Sequence, residues 1–281
     1  MSDNELGLFL RTRRAAITPA EVGLPVAPRR RAKGLLRSEV AALARVSVEY
    51  VTRLEQGRDR RPSPQILAGL ADALRLSASE RAHLLRLTKV SDPGFHCLGV
   101  RRPARTVRPT VRALIDRMEP SPVVLLNRLG DVLAFTGAYE RLMAPIGLLE
   151  PARPNLPRFV LTDDRARKAY PDWERIADEE VAALKQGPFR ADPHIAALAD
   201  ELTLTAGEAF TRRVDTVPGM AGANGVIRLA HPTVGDLNLA YEVLDLPADD
   251  DQRLIVHLPA DPATETALER LRPQQIHLLA G

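Results

Sequence analysis

The stretch Val46-Ser47-Val48-Glu49-Tyr50-Val51-Thr52-Arg53-Leu54-Glu55-Gln56-Gly57-Arg58 decides how the first third of this chain is read. The Ser47 hydroxyl can accept a hydrogen bond from an orphan backbone N–H, so it is predicted to cap a helix over about 47–56. Val48, Val51 and Leu54 recur at helical spacing, and Gly57 is placed to stop the helix. Immediately upstream a second short helix is predicted over about 37–44, with Val40, Ala41 and Leu43 inward. Only Arg45-Val46 separates the two, and short helices joined by so tight a turn form the helix-turn-helix pattern.

Three more helices surround this pair. Leu6, Phe9, Leu10 and Arg13 predict a helix over 5–16. Ser63-Pro64 is an N-cap followed by proline at the first helical position, and Ile66, Leu67, Leu70, Ala73 and Leu74 continue as an apolar stripe. Ser77 and Glu80 are spaced as a capping box ahead of Leu84, Leu85 and Leu87. An all-α bundle of about five helices is therefore expected over residues 1–90.

Charge separates this part from the rest. Residues 1–110 hold 21 Lys and Arg against 10 Asp and Glu, whereas residues 111–281 hold 18 against 26. A basic first third suggests a polyanionic partner. Arginine dominates its early positions, and a guanidinium suits bidentate contacts to phosphate and guanine. No apolar run reaches the length of a membrane span. The first residues lack the basic and apolar segments of a secretory signal, and the single cysteine, Cys97, rules out an intrachain disulfide. A cytoplasmic protein is expected.

The text over residues 6–90 resembles the helix-turn-helix domain of the MmyB-like subgroup of Xre/Cro-type regulators. The matching residues are Leu6-Gly7, Phe9-Leu10-Arg11, Arg13-Arg14, Val22-Gly23-Leu24-Pro25, Arg29-Arg30-Arg31, Gly34-Leu35, Glu39-Val40-Ala41, the Val46–Arg58 run and Pro62-Ser63-Pro64. Arg45 stands where the family usually has glycine. It must either take a positive φ at some cost or shift the turn. The resemblance implies a regulator that binds double-stranded DNA, and it makes a homodimer plausible. It also implies that Glu55 pairs with an arginine of the first helix, Arg14 or Arg11.

In such a motif the second helix enters the major groove. That nominates Ser47, Val48, Glu49, Tyr50, Thr52 and Arg53 for base contacts. Arg53 suits guanine, Glu49 suits cytosine, and Val48 or Thr52 suits a thymine methyl. Arg29, Arg30, Arg31, Lys33, Arg37, Arg58, Arg60 and Arg61 are the candidate phosphate contacts, which position without reading sequence.

Residues 91–109 have the Pro, Gly and Arg content of a linker, with His96 and Cys97 side by side but short of a metal site. Over 110–281 a helix, a strand pair (Pro122–Leu126, Asp131–Phe135), helical text over 137–205, three strands (Val226–Ala230, Leu237–Leu246, Arg253–Leu258) and a last helix over about 263–272 predict an α+β domain with an antiparallel sheet. This half resembles the MmyB-like ligand-binding domain, a PAS-like fold. The residues that carry the resemblance are Pro109, Asp131-Val132-Leu133-Ala134, Tyr170-Pro171-Asp172-Trp173 and His231-Pro232 with Val234-Gly235, Leu237, Leu239 and Tyr241-Glu242.

The resemblance implies a pocket for a small, mainly apolar, fatty-acid-like ligand. Its candidate lining is Phe135, Tyr139, Met143, Phe159, Tyr170, Trp173, Phe210 and Tyr241, each of which also suits a plain core. The chain departs from its relatives at Gly130, usually tryptophan, at Thr136, usually asparagine, and at 216–222, which lack histidine and basic residues. Either the ligand differs, or the domain has lost sensing and serves dimerisation. An enzyme domain tethered to a DNA-binding module is the other reading. No nucleophile elbow, zinc-protease or phosphate-loop motif is present, and no catalytic residue, metal or cofactor is expected.

Overall fold

Side-chain caps set most helix starts. The computed structural model describes residues 4–25, 32–59, 61–90, 102–186, 189, 192–246 and 252–272. These fall into two units. One is Met1–Val100 with Lys185–Asp192 and Val214–Met220. The other is Arg101–Leu184 with Pro193–Arg213 and Ala221–Gly281.

The first unit carries α1 (Glu5–Ala16), α2 (Arg37–Ala44), α3 (Val48–Glu55), α4 (Pro64–Ala73) and α5 (Ala78–Val90). Ser47 Oγ accepts from the Tyr50 amide at 3.1 Å. At α5 the Ser77 hydroxyl accepts from the Glu80 amide at 3.4 Å, and the Glu80 carboxylate accepts from the Ser77 amide at 2.6 Å. This reciprocal capping box satisfies two donors that a helix start otherwise leaves open. Leu6, Phe9, Leu10, Val40, Val51, Leu54, Leu67, Leu70 and Leu84 bury one shared core.

Of the two alternatives for the α2–α3 turn, Arg45 takes the first: φ is 56° and ψ is 43°. Its amide still closes α2 by donating to the carbonyls of Ala41 and Ala42. In the same unit Lys185 is fully buried, and its ammonium meets Glu5 at 2.9 Å and the carbonyls of Val214, at 2.6 Å, and Val217. A buried ammonium is tolerable only with such a set of acceptors.

The second unit is built on a five-stranded antiparallel sheet ordered β2-β1-β5-β4-β3. Its strands are β1 (Val123–Leu126), β2 (Val132–Phe135), β3 (Asn224–His231), β4 (Gly235–Leu246) and β5 (Gln252–Pro259). Register pairs Val124 with Ile255, Val243 with Ile255, and Ile227 with Leu239. The helices are α6 (Pro109–Asp116), α7 (Gly137–Met143), α8 (Leu156–Thr162), α9 (Asp164–Ala169), α10 (Trp173–Leu184), α11 (Pro193–Thr205), α12 (Glu208–Thr216) and α13 (Pro262–Arg270). Val111 and Ile115 of α6 pack on Val123, Leu125 and Leu254, one face of the sheet.

The departures at Gly130 and Thr136 have structural explanations. Gly130 sits at φ +76°, and a Cβ there would lie 2.3 Å from Pro157 Cδ, so no side chain fits. Thr136 Oγ1 accepts from the Val123 and Tyr139 amides and donates to the Ser121 carbonyl, tying the start of α7 to β1. At one edge of the sheet, Arg175 of α10 donates from Nη2 to the outward carbonyl of Val226 in β3 at 2.7 Å.

The two-part architecture expected from the sequence is the one observed: helices first, then an α+β unit with an antiparallel sheet. Among the described residues no helix is long and apolar enough to cross a membrane.

Candidate functional site

Helix α3 is amphipathic in a way that leaves one face free. Val51, Leu54 and Glu55 are buried, whereas Val48, Glu49 and Arg53 are exposed. Val48 is 40% exposed. Ser47 and Thr52 flank this face, but their hydroxyls are engaged within the helix. Ser47 is the cap, and Thr52 Oγ1 donates to the Val48 carbonyl at 2.8 Å. Tyr50 is half-buried against the core with the Arg53 guanidinium 5.4 Å from its ring centroid, and burial followed by the nearby Asp59 carboxylate raises its phenol pKa.

The back of α3 is held by a charged cluster centred on Glu55, which is 1% exposed. Arg14 Nε donates to its Oε1 at 2.6 Å, and Arg37 Nε donates to its Oε2 at 2.7 Å. Its carbonyl accepts from Asn4 at 2.9 Å and from Arg11. Arg14 is thus the side-chain partner of Glu55, and Arg11 binds the backbone of the same residue. Arg37 has a structural partner in addition to any external one, and its side chain remains 44% exposed. Lys33, Arg58 and Arg61 are exposed. Arg29, Arg30, Arg31 and Arg60 lie outside the described residues, as do His96 and Cys97.

A second candidate site lies wholly within the α+β unit, between the sheet and α7 and α10. Its volume is about 70 Å³. That is below the range of pockets for drug-sized ligands, so a longer molecule must displace side chains on entry. Met143, an unbranched and adaptable side chain, lines it. Of the eight aromatic and methionine candidates, Tyr139, Met143, Tyr170 and Tyr241 line this cavity. Phe135 is half-buried on β2, 6.3 Å from Tyr139, and Phe159 and Phe210 are buried in the core.

Trp173 lies elsewhere. Its indole donates to the Val160 carbonyl at 2.7 Å, and its ring meets the guanidinium of Arg167 at 3.6 Å and that of Arg213 at 4.9 Å. Arg213, almost fully buried, is held by Asp178 at 2.7 Å and by Glu174. This is a cation–π stack that fixes α10 to α12.

Four polar residues of the cavity were not foreseen from sequence. Glu179 and Glu180 come from α10, and Arg253 and His257 from β5. Glu180 is buried, and among the described residues neither its Oε2 nor the buried Arg253 Nε has a hydrogen-bond partner. Burial pushes the Glu180 carboxyl up to about 7, with Arg253 opposing and Glu179 assisting the shift. His257, also lining the cavity, is lowered to about 4 by burial, so its ring is neutral near pH 7.

Both glutamate and arginine had a signal in the text. Trp173, Ile176, Ala177, Glu180, Val181 and Leu184 form the buried stripe of α10, which places an acid on an apolar helix face. Arg253, Ile255 and His257 alternate along β5 toward the cavity. Among the described residues no cluster of three or more His, Cys, Asp or Glu is placed to hold a metal ion.

Comparison with protein families agrees with this division. The family described as MmyB-like transcription regulator ligand binding domain matches residues 107–271, and one described as a helix-turn-helix domain matches residues 5–84. A search of curated proteins returns no match to the chain.

Proposed function

Because this chain belongs to the MmyB-like transcription regulators, with a helix-turn-helix domain and a ligand-binding domain, we propose that it binds DNA sequence-specifically as a homodimer and responds to a small, mainly apolar ligand. The observation that carries the DNA half is the exposed face of α3. Val48, Glu49 and Arg53 are exposed on a helix whose opposite face is fixed by Glu55 and the core. An exposed acid, arginine and isopropyl group match the cytosine, guanine and thymine-methyl edges of the major groove. Lys33, Arg37, Arg58 and Arg61 contact phosphates in this reading. Two copies would meet half-sites about one helical turn apart.

The ligand half is supported by the cavity of the α+β unit. Tyr139, Met143, Tyr170 and Tyr241 form its wall with Leu142, Leu239 and Ile255. Ligand binding would favour one arrangement of the dimer and so alter half-site spacing or affinity, by no more than its differential affinity for the two states.

Selection of bound sites from random DNA, run with and without a cell extract, tests the proposal. A recurring two-part motif whose enrichment changes with extract is the expected result. Recovery of unrelated sequences, with binding that depends only on salt, would overturn the regulator reading in its specific form.

A further inference from the structure

The cavity contains an acceptor and a donor that none of the described residues satisfies. Glu180 Oε2 and Arg253 Nε are both buried, line the same space and come from different walls, α10 and β5. Glu179 and His257 of the lining are engaged. Glu179 pairs with Arg175 through Oε1 at 2.5 Å and meets the Tyr241 hydroxyl through Oε2 at 3.4 Å. His257 Nδ1 lies 3.2 Å from the Pro122 carbonyl. Buried polar atoms are normally hydrogen-bonded, and leaving them unpaired is unfavourable. A ligand that supplies the missing donor and acceptor therefore gains what the empty cavity lacks.

Charge narrows the class. With Glu179 paired to Arg175, the lining is left with one carboxylate, Glu180, and one guanidinium, Arg253. A carboxylate head would add a further negative group beside them in a medium of low dielectric, and an ammonium head would face Arg253. A neutral head that both donates and accepts conflicts with neither.

We propose that the cavity selects a short apolar molecule with a neutral head of the primary amide or alcohol class. Its N–H or O–H donates to Glu180 Oε2, and its oxygen accepts from Arg253 Nε. This rests on the reading of the cavity as the ligand site, and it names the head group that site takes.

Calorimetric titration of the full chain at pH 8 with hexanamide, 1-hexanol, hexanoate and N,N-dimethylhexanamide tests it. Hexanamide and hexanol should bind about tenfold more tightly than hexanoate or the donor-free dimethylamide, the difference that one well-placed polar contact makes. Glu180→Leu should remove the preference for hexanamide over its dimethyl analogue. Glu180→Gln, of the same shape and still an acceptor, should keep hexanamide binding and raise hexanoate affinity, and it serves should the leucine variant fail to fold.

Hexanoate binding as tightly as hexanamide, or a preference untouched by both variants, overturns the head-group assignment and leaves the cavity reading standing. Failure of all four probes to bind overturns both.

Discussion

Glu55 and Arg14 are joined by two hydrogen bonds, Nε to Oε1 at 2.6 Å and Nη2 to Oε2 at 3.2 Å, with the carboxylate almost entirely out of water. The pair ties the last residue of α3 to the last turn of α1, so α3 is braced from behind. Removing one partner of a buried pair leaves the other charge uncompensated. Glu55→Ala should lower unfolding free energy by about 3–5 kcal/mol in urea denaturation followed by circular dichroism. A loss under about 0.5 kcal/mol, the usual range for surface changes, would refute the brace.

Arg53 should behave in the opposite way. Arg53→Ala should leave stability within about 0.5 kcal/mol but weaken the selected site by about 1–3 kcal/mol and relax one base pair. Arg58→Ala should weaken all sequences alike and reduce the salt slope of binding by about one. Fluorescence anisotropy across a salt series separates the two, and identical salt slopes for Arg58→Ala and parent would exclude Arg58 as a phosphate contact.

Arg45 holds a left-handed conformation that disfavours a Cβ. Arg45→Gly should raise stability by about 1 kcal/mol, the strain relieved less the added entropy of glycine in the unfolded chain. A lower midpoint for the variant in thermal melts would show that the turn is not strained.

His83 is fully buried in the helical unit, edge-on to Phe9 at 5.1 Å, and neither ring nitrogen is hydrogen-bonded among the described residues. Burial, with a smaller contribution from Arg86, lowers its pKa to about 4 from an ordinary 6.5. The unfolded chain therefore takes up the proton first, and stability present above about pH 6.5 is lost as pH falls toward 4. His83→Leu should flatten that acid loss. Equal midpoints for parent and variant at pH 7, with equal declines to pH 4, would contradict it.

Glu180 slopes the other way. Its folded pKa of about 7 exceeds the ordinary 4.5, so its contribution is full below pH 4.5 and is lost as pH rises through 7. Glu180→Gln should match the parent near pH 4.5 and exceed it increasingly up to pH 8 in thermal melts. A difference that does not vary with pH would mean that the carboxyl is not desolvated.

Local chemistry made the helical unit legible. Ser47, Ser63 and the Ser77–Glu80 box are signals within four residues of the helix ends they set, and the structure places helix starts at Val48, Pro64 and Ala78. The strands were legible through alternation, as at Leu237, Leu239 and Tyr241, all buried. The cavity was less so, because an aromatic side chain suits a core and a pocket equally. Trp173 is occupied by two arginines that are distant from it or from each other in sequence, a contact that no local pattern encodes. Glu180 was visible as an acid in an apolar stripe, but its missing partner is a property of the assembled walls.

Edge strand β3 has a further consequence. The outward N–H and C=O groups on alternate residues of an edge strand would ordinarily invite another strand to add, the route by which sheets grow into aggregates. The guanidinium of Arg175 already occupies the carbonyl of Val226, so an incoming chain must displace a charge-assisted bond before it can zip along that margin. One arginine from a neighbouring helix thereby blunts part of that edge.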